Sequence, residues 1–150
     1  MSGNPRSLPG RVVNAALSAS VSQEVIKIET LPIRQGQQVR LVFEQVNSEW
    51  RQGVFLGTDG QLRVADSASP QIVIWSDTAP PETQITCEST DGLLRFYNVW
   101  HSGRRPGMES QSATSGMIAE DLGGGVFRYS CNDIGTDPDF QKLIFRLKVE

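Results

Sequence analysis

The amino-acid sequence predicts an all-β protein, either an antiparallel β-sandwich or, as the alternative, a small β-barrel. Apolar and polar residues alternate through short segments along most of the chain, which is the period of a half-buried strand. Gly and Asp residues separate many of these segments, as expected for tight turns. Few segments show a helical period, so we expect about nine or ten short strands and little helix.

The N-terminal residues differ from the rest of the chain. Residues 1–18 are rich in Pro, Gly, Asn and Ser and lack a clear alternation. We interpret them as a flexible arm, in which Ala15, Ala16 and Leu17 favour a short helical turn. Residues 19–150 then form a single β domain, because 150 residues is an ordinary length for one domain.

The first strands of the predicted domain surround a polar turn. The segments EVIKIE (24–29) and QVRLVFEQV (38–46) alternate between apolar and polar residues and predict strands. The segments GVFLG (53–57) and QLRVA (61–65) flank Thr58–Gly60. A Thr-Asp-Gly sequence between two alternating segments predicts a hairpin turn.

The middle of the domain contains a continuous apolar segment. QIVIW (71–75) is typical of a strand that is covered on both faces. TQITCES (83–89) alternates again, and Asp91–Gly92 predicts a second turn before LLRFYNVW (93–100).

The last strands are separated by a glycine turn. SGMIAEDL (115–122) and VFRYSC (126–131) flank Gly123–Gly125, which predicts a third turn. KLIFRLKVE (142–150) alternates regularly and predicts the final strand.

The two cysteines allow several interpretations. Cys87, Trp100, Tyr129 and Cys131 follow one another in an order that is similar to immunoglobulin domains, a resemblance that would imply a disulfide. The period of two instead directs both thiols inward, where they pack as small apolar groups, and we favour this interpretation. A disulfide, a zinc ligand set and a catalytic thiolate remain as alternatives, although the only histidine, His101, is not predicted to lie beside either cysteine.

The composition excludes some classes of function. The net charge is -3 and the isoelectric point about 5.2, whereas nucleic-acid-binding domains usually carry a basic surface. No apolar segment approaches the roughly 18 residues of a membrane helix. The N-terminal segment also lacks the apolar core of a signal peptide. We therefore expect a cytoplasmic protein that binds neither nucleic acid nor membrane.

A polar loop, residues 101–116, interrupts the strand pattern. Loops of this length in compact domains often carry function. Its arginines suit an anion, and the preceding tryptophan suits the floor of a pocket. We expect a small polar or anionic ligand, or a protein partner. The predicted ligand-binding residues are Trp100, His101, Arg104, Arg105 and Glu109.

A second loop, residues 132–139, collects acidic and amide side chains. Calcium prefers several oxygen ligands from one flexible loop. The spacing does not match an EF-hand, and Asx turns or a helix cap would explain the same residues. We expect no cofactor, with calcium as the alternative. The candidate metal ligands are Asn132, Asp133, Asp137 and Asp139.

These observations favour a non-enzymatic ligand-binding or protein-interaction module that uses the loops 101–116 and 132–139. An exposed edge strand would also permit a homodimer. The alternative is a small enzyme of the cyclase or isomerase type, and the sequence leaves open whether the protein is an enzyme. Its cavity would be lined by aromatic residues, namely Trp50, Trp75, Tyr97, Trp100 and Tyr129.

Overall fold

The structure is a computed structural model that describes residues 10–134 and 137–150. It confirms the predicted all-β class: within these residues it has ten strands and one helix, and none of its helical structure is long and apolar enough to cross a membrane. Eight strands close into a barrel, the predicted alternative to a sandwich. The elements are β1 (Val12–Val13), α1 (Ala15–Val21), β2 (Ile26–Pro32), β3 (Gln37–Val46), β4 (Arg51–Val64), β5 (Ser67–Trp75), β6 (Thr83–Ser89), β7 (Leu93–His101), β8 (Gly116–Gly123), β9 (Val126–Asn132) and β10 (Leu143–Val149).

Antiparallel pairing joins the barrel strands in the order β2, β7, β4, β6, β3, β10, β9 and β8. The ring closes where Ile26 of β2 pairs with Met117 of β8. Two strands lie outside this ring, because β1 pairs with β2 and β5 pairs with β4. Closure removes most of the unpaired strand edges that an open sheet would expose.

The predicted hairpin turn at Thr58–Gly60 is wrong, because β4 continues through these residues. The first half of β4 pairs with β7, and the second half pairs with β6 after a shift in register. A Cβ atom on Gly60 would lie 2.0 Å from the carbonyl oxygen of Ser89. Gly60 therefore allows two backbones to approach closely at a bend. The chain reverses later, at Ala65, whose φ is 52°.

The other two predicted turns have different outcomes. Gly123–Gly125 connects β8 to β9 in an antiparallel hairpin, as predicted, and all three residues have positive φ. Asp91–Gly92 lies between β6 and β7, but these strands pair with successive halves of β4. Asp91–Gly92 is therefore a bend along β4 rather than the turn of a paired hairpin.

The interior of the barrel is filled by apolar side chains from every strand of the ring. The ring of Phe96 meets Tyr129 edge to face with centroids 5.0 Å apart, and Phe145 lies 5.2 Å from Tyr129. Cys87 and Cys131 belong to this core as free thiols, which confirms the favoured interpretation. Burial raises the pKa of Cys87 to about 11 and also raises the pKa of Cys131. Both thiols therefore remain neutral at physiological pH.

Part of the predicted N-terminal arm lies in the described structure. Residues 1–9 lie outside the described residues, and residues 10–18 include β1 and the first part of α1. The side chain of Asn14 caps α1 by accepting a 3.1 Å hydrogen bond from the amide of Leu17. Leu17 is buried. The domain boundary at residue 18 stays a prediction.

A buried ionic cluster, here called the Arg11 network, ties this segment to the barrel. Arg11 donates from Nε and Nη2 to the two carboxylate oxygens of Glu29, at 2.7 and 2.6 Å. Arg11 also donates to Glu24 at 2.7 Å, and the hydroxyl of Tyr129 donates to Glu29 at 3.1 Å. The side chain of Glu29 is fully buried and that of Arg11 is 5% exposed. Each charge in this network therefore has a partner.

Candidate functional site

The loop that connects β7 to β8 forms a cleft of about 620 Å³ at one end of the barrel. The loop folds back on β7, because Trp100 and Glu109 exchange backbone hydrogen bonds of 2.7 and 3.0 Å. This folding brings the predicted polar loop and the end of the barrel core together. The cleft, here called the loop cleft, is lined by Trp100, Arg104, Arg105, Met108, Glu109 and Ile134, among others.

The arginines of the loop cleft differ from most other arginines of the protein. Within the described residues, no carboxylate lies within ion-pair distance of Arg104, Arg105 or Arg34. Both cleft arginines are exposed. Neither arginine pairs with an aspartate of the loop 132–139. Such pairing would have neutralised the positive charge of the cleft. The arginines that do form ion pairs are Arg11, Arg40, Arg51, Arg63, Arg95, Arg128 and Arg146.

Aromatic and acidic side chains surround the two cleft arginines. The guanidinium of Arg104 lies 5.2 Å from the ring centre of Trp50, within the range of a cation–π interaction. The positive charge of Arg105 helps to lower the pKa of Glu109. Trp50 therefore orients one arginine without neutralising it, whereas Glu109 partly offsets the charge of the other.

Glu109 is held in the wall of the loop cleft by Ser102. Oε1 of Glu109 accepts a hydrogen bond from the hydroxyl of Ser102 and one of 3.0 Å from its amide. These bonds, with the hydroxyl making the largest contribution, lower the pKa of Glu109. Glu109 is therefore ionised at neutral pH and fixed in orientation.

His101 is placed differently from the other predicted ligand residues. Trp100 is buried, and successive side chains on a strand point to opposite faces. The side chain of His101 therefore points away from the barrel interior, and it pairs across the sheet with Arg51. The structure brings Trp100, Arg104, Arg105 and Glu109 together in the loop cleft, but it does not place His101 in the lining.

A buried polar cluster, here called the polar floor, lies at the same end of the barrel and consists of Gln52, Trp100 and Asp133. Gln52 is directly opposite Trp100 on neighbouring strands, and each residue is only 1% exposed. The amide Nε2 of Gln52 donates to Oδ2 of Asp133 at 2.9 Å, and the hydroxyl of Ser48 donates to the same oxygen at 2.6 Å. Asp133 precedes Ile134, which lines the loop cleft.

Two polar atoms of the polar floor have no hydrogen-bond partner among the described residues. They are Oε1 of Gln52 and Nε1 of Trp100, and both are buried. The indole of Trp100 is near enough to Glu109 to help lower the pKa of that carboxyl, but it makes no hydrogen bond of ordinary geometry with it. Most buried polar atoms in proteins are satisfied, so two neighbouring exceptions need an explanation.

Among the predicted metal ligands of the loop 132–139, Asn132 and Asp133 are engaged with the protein itself. Asn132 donates to the carbonyl of Thr114 at 2.6 Å and accepts from the amide of Asp139 at 3.1 Å. Asp133 belongs to the polar floor, whereas Asp137 is exposed. Within residues 10–134 and 137–150, no three His, Cys, Asp or Glu side chains are grouped to hold a metal ion. Calcium binding stays a prediction.

The aromatic residues predicted to line an enzyme cavity are distributed over separate regions. Tyr129 lies in the filled core, and Trp100 lies at the end of the barrel. Tyr97 stacks on Phe55 with centroids 4.7 Å apart, and the guanidinium of Arg51 lies 4.4 Å from the ring of Trp75. Of this group, Trp50 and Trp100 adjoin the loop cleft through Arg104 and the lining.

Sequence reasoning missed the residues that support the cleft from outside its loop. Gln52 and Ser48 precede the cleft residues by about 50 positions in the chain and carry no motif. One feature of the sequence did single out Gln52. It is polar, but the alternation of β4 places it on the same inward face as Val54 and Leu56. Ser102 was available from the loop sequence, but only the fold shows that it holds Glu109.

Comparison with protein-family models gave no match, and comparison with curated proteins gave none.

Proposed function

We propose that the protein is a non-enzymatic binding module that recognises a small anionic ligand in the loop cleft. The observation that carries this proposal is the pair of exposed arginines, Arg104 and Arg105, which line one cleft and have no ion-pair partner among the described residues. A guanidinium offers a planar set of donors that fits a carboxylate or a phosphate.

The surroundings of the arginines support binding of a ligand over simple solvation. Unpaired surface arginines are common, but here the lining also includes Trp100 and Met108, which offer apolar contact. The cleft volume of about 620 Å³ is within the range of small-molecule sites. Trp50 restrains Arg104, which reduces the side-chain entropy that binding would remove.

The proposal is tested by titrating the protein with sulfate and with pentanoate at low ionic strength, followed by amide NMR shifts. We expect saturable shifts in residues 102–112 that are lost in the double variant Arg104→Ala/Arg105→Ala. Arg34→Ala is the matched control, because Arg34 is another exposed arginine without an ion-pair partner among the described residues and lies outside the cleft lining. Equal binding by wild type and the double variant would contradict the proposal.

The free edge of β5 supports a second, compatible proposal, a homodimer. β5 pairs with β4 along one edge, and no described strand pairs with the other. Such an edge exposes amide and carbonyl groups that a second copy can pair with. Light scattering should then give a dimer mass for wild type and a monomer mass for Val73→Lys. A monomeric wild type would exclude this arrangement.

We also propose that the protein is cytoplasmic. The two free, buried cysteines support this location, because disulfides are favoured in oxidising compartments and rare in the cytosol. Fractionation of the producing cells, with the protein detected by antibody, tests the location. Recovery in a secreted or membrane fraction would contradict it.

A further inference from the structure

We propose that the ligand of the loop cleft carries, beside its anionic group, a carboxamide-like group that hydrogen-bonds to Trp100 and Gln52. A ligand of this class presupposes the anion binding proposed above. The carbonyl of the ligand would accept from Nε1 of Trp100, and its N–H would donate to Oε1 of Gln52.

The two protein atoms form a complementary pair. Nε1 of Trp100 is a donor only, and Oε1 of Gln52 is an acceptor only. Both are buried, and neither makes a hydrogen bond of ordinary geometry with a described residue, although the indole lies near Glu109. The residues are directly opposite each other on β4 and β7, so their Cβ atoms lie about 4.5–5.5 Å apart. A primary carboxamide, which presents its carbonyl oxygen and one N–H on the same side, satisfies both atoms at once.

The orientation of the Gln52 amide is fixed by its neighbours. Nε2 donates to Oδ2 of Asp133 at 2.9 Å and to the carbonyl of Trp50 at 3.3 Å. Rotating the amide by half a turn would place its oxygen against these two acceptors. Oε1 therefore cannot exchange places with Nε2 to find a partner within the polar floor. Asp133 thus acts as a positioning residue that keeps the acceptor of Gln52 available.

One member of this pair, Trp100, lies in the lining of the loop cleft, and Gln52 lies directly opposite it on β4. Trp100 lines the cleft together with Arg104 and Arg105, so a ligand anchored on the arginines contacts the residue that carries the unpaired donor. Leaving a buried donor and acceptor unsatisfied destabilises a protein. A ligand group that hydrogen-bonds to both atoms removes this cost, and the ligand therefore binds more tightly.

Three matched carboxylates distinguish the amide from its parts. Succinamate has both a carbonyl and an N–H, 4-oxopentanoate replaces the amide nitrogen by a methyl group, and pentanoate lacks both groups. We expect succinamate to bind on the order of fivefold more tightly than 4-oxopentanoate, as one hydrogen bond supplies. We also expect this ligand to shift the indole N–H resonance of Trp100. That resonance is identified by its absence from the spectrum of Trp100→Phe. Glutaramate and 5-oxohexanoate repeat the comparison at a greater length.

Two variants test the role of Gln52. Gln52→Met keeps the length of the side chain but removes the acceptor, so the amide and ketone ligands should bind equally. Ser48→Ala is the control, because it removes the other donor to Asp133 and leaves the Gln52 amide in place. It should retain the preference for succinamate. If Gln52→Met does not fold, the comparison of ligands on wild type still decides.

The outcomes separate the two proposals. If the carboxylates of each length bind equally, through Arg104 and Arg105 and without a shift of the Trp100 indole, the amide proposal is wrong and the anion site remains. A buried water would then satisfy the donor and acceptor pair. If no carboxylate and no sulfate binds, the anion site itself is wrong.

Discussion

The Arg11 network and the loop cleft use the same types of charged residue in opposite ways. In the Arg11 network, Arg11 donates to both oxygens of Glu29, and Tyr129 donates to the same carboxylate. In the loop cleft, Arg104 and Arg105 have no carboxylate within ion-pair distance among the described residues, and both are exposed.

The difference shows which charges stabilise the fold and which remain available for binding. A buried charge that loses its partner is strongly unfavourable, so the Arg11 network depends on all its members. An exposed arginine is solvated in the free protein, so its removal changes stability little. Variants in the first region should therefore alter unfolding, and variants in the second should alter binding.

The largest effect is expected from Glu29→Gln. It keeps the shape of the side chain but leaves Arg11 buried with only the 35% exposed Glu24 as an ionic partner. We expect a loss of about 3 kcal/mol in the free energy of unfolding, measured in urea. Glu24→Gln is the control and should cost less than about 1 kcal/mol. A change below about 1 kcal/mol for Glu29→Gln would show that the network does not hold the N-terminal segment.

A smaller loss is expected from Tyr129→Phe. The variant keeps the ring between Phe96 and Phe145 and removes only the hydroxyl that donates to Glu29. A hydrogen bond to a charged group contributes about 1.5–3 kcal/mol. Chemical unfolding should show that the free energy of unfolding falls by an amount in this range. Tyr97 is partly exposed, so Tyr97→Phe should change the free energy of unfolding little. An equal effect of both variants would contradict the special role of the buried hydroxyl.

The core should also lose stability at alkaline pH. Burial raises the pKa of Cys87 from 9.0 to about 11, and it raises the pKa values of Cys131 and Tyr129 as well. A group whose pKa is raised by folding contributes stability below its unfolded pKa and loses it as pH rises through the folded pKa. The free energy of unfolding should therefore fall from about pH 9 upward. The free energy of unfolding of Cys87→Ala should fall less steeply with pH. A slope equal to that of wild type would show that ionisation of Cys87 does not cause the loss.

The sequence predicted features that depend on near neighbours in the chain, and it missed features that depend on contacts between distant residues. Local patterns identified the strands, the Gly123–Gly125 turn and the inward thiols, because a period of two depends only on near neighbours. The bend at Gly60 was missed, because the reason for that glycine is the backbone of Ser89, a contact that no local pattern contains. Thr-Asp-Gly has the composition of both a turn and a bulge.

The same limit applies to the site. The loop sequence predicted the arginines, Trp100 and Glu109 of the cleft, since these residues are close in the chain. Gln52 could not be assigned, because its role follows from pairing of β4 with β7 and from its bond to Asp133. Asp133 was predicted as a metal ligand from the composition of its loop, which stays a prediction. The fold shows that its carboxylate accepts hydrogen bonds from Gln52 and Ser48, a role that the composition did not indicate.

The smallest effect is expected from Glu109→Gln, which tests how charges within the loop cleft itself alter anion binding. Glu109 is an ionised carboxylate close enough to Arg105 for the two charges to interact, so it opposes the binding of an anion. Glu109→Gln should bind sulfate about two- to fivefold more tightly at pH 7, because a partly exposed charge contributes less than about 1 kcal/mol. Its stability should change little, in contrast to Glu29→Gln.

The pH dependence distinguishes this charge effect from a change of shape. The hydrogen bonds from Ser102 lower the pKa of Glu109 from 4.5, so the carboxylate becomes protonated only below that value. Sulfate keeps its charge in this range, and its affinity for wild type should rise as pH falls below about 4.5. Glu109→Gln should show no such rise, and Ser102→Ala should shift it to higher pH. Weaker sulfate binding by Glu109→Gln at pH 7 would mean that Glu109 positions the loop instead of repelling the anion.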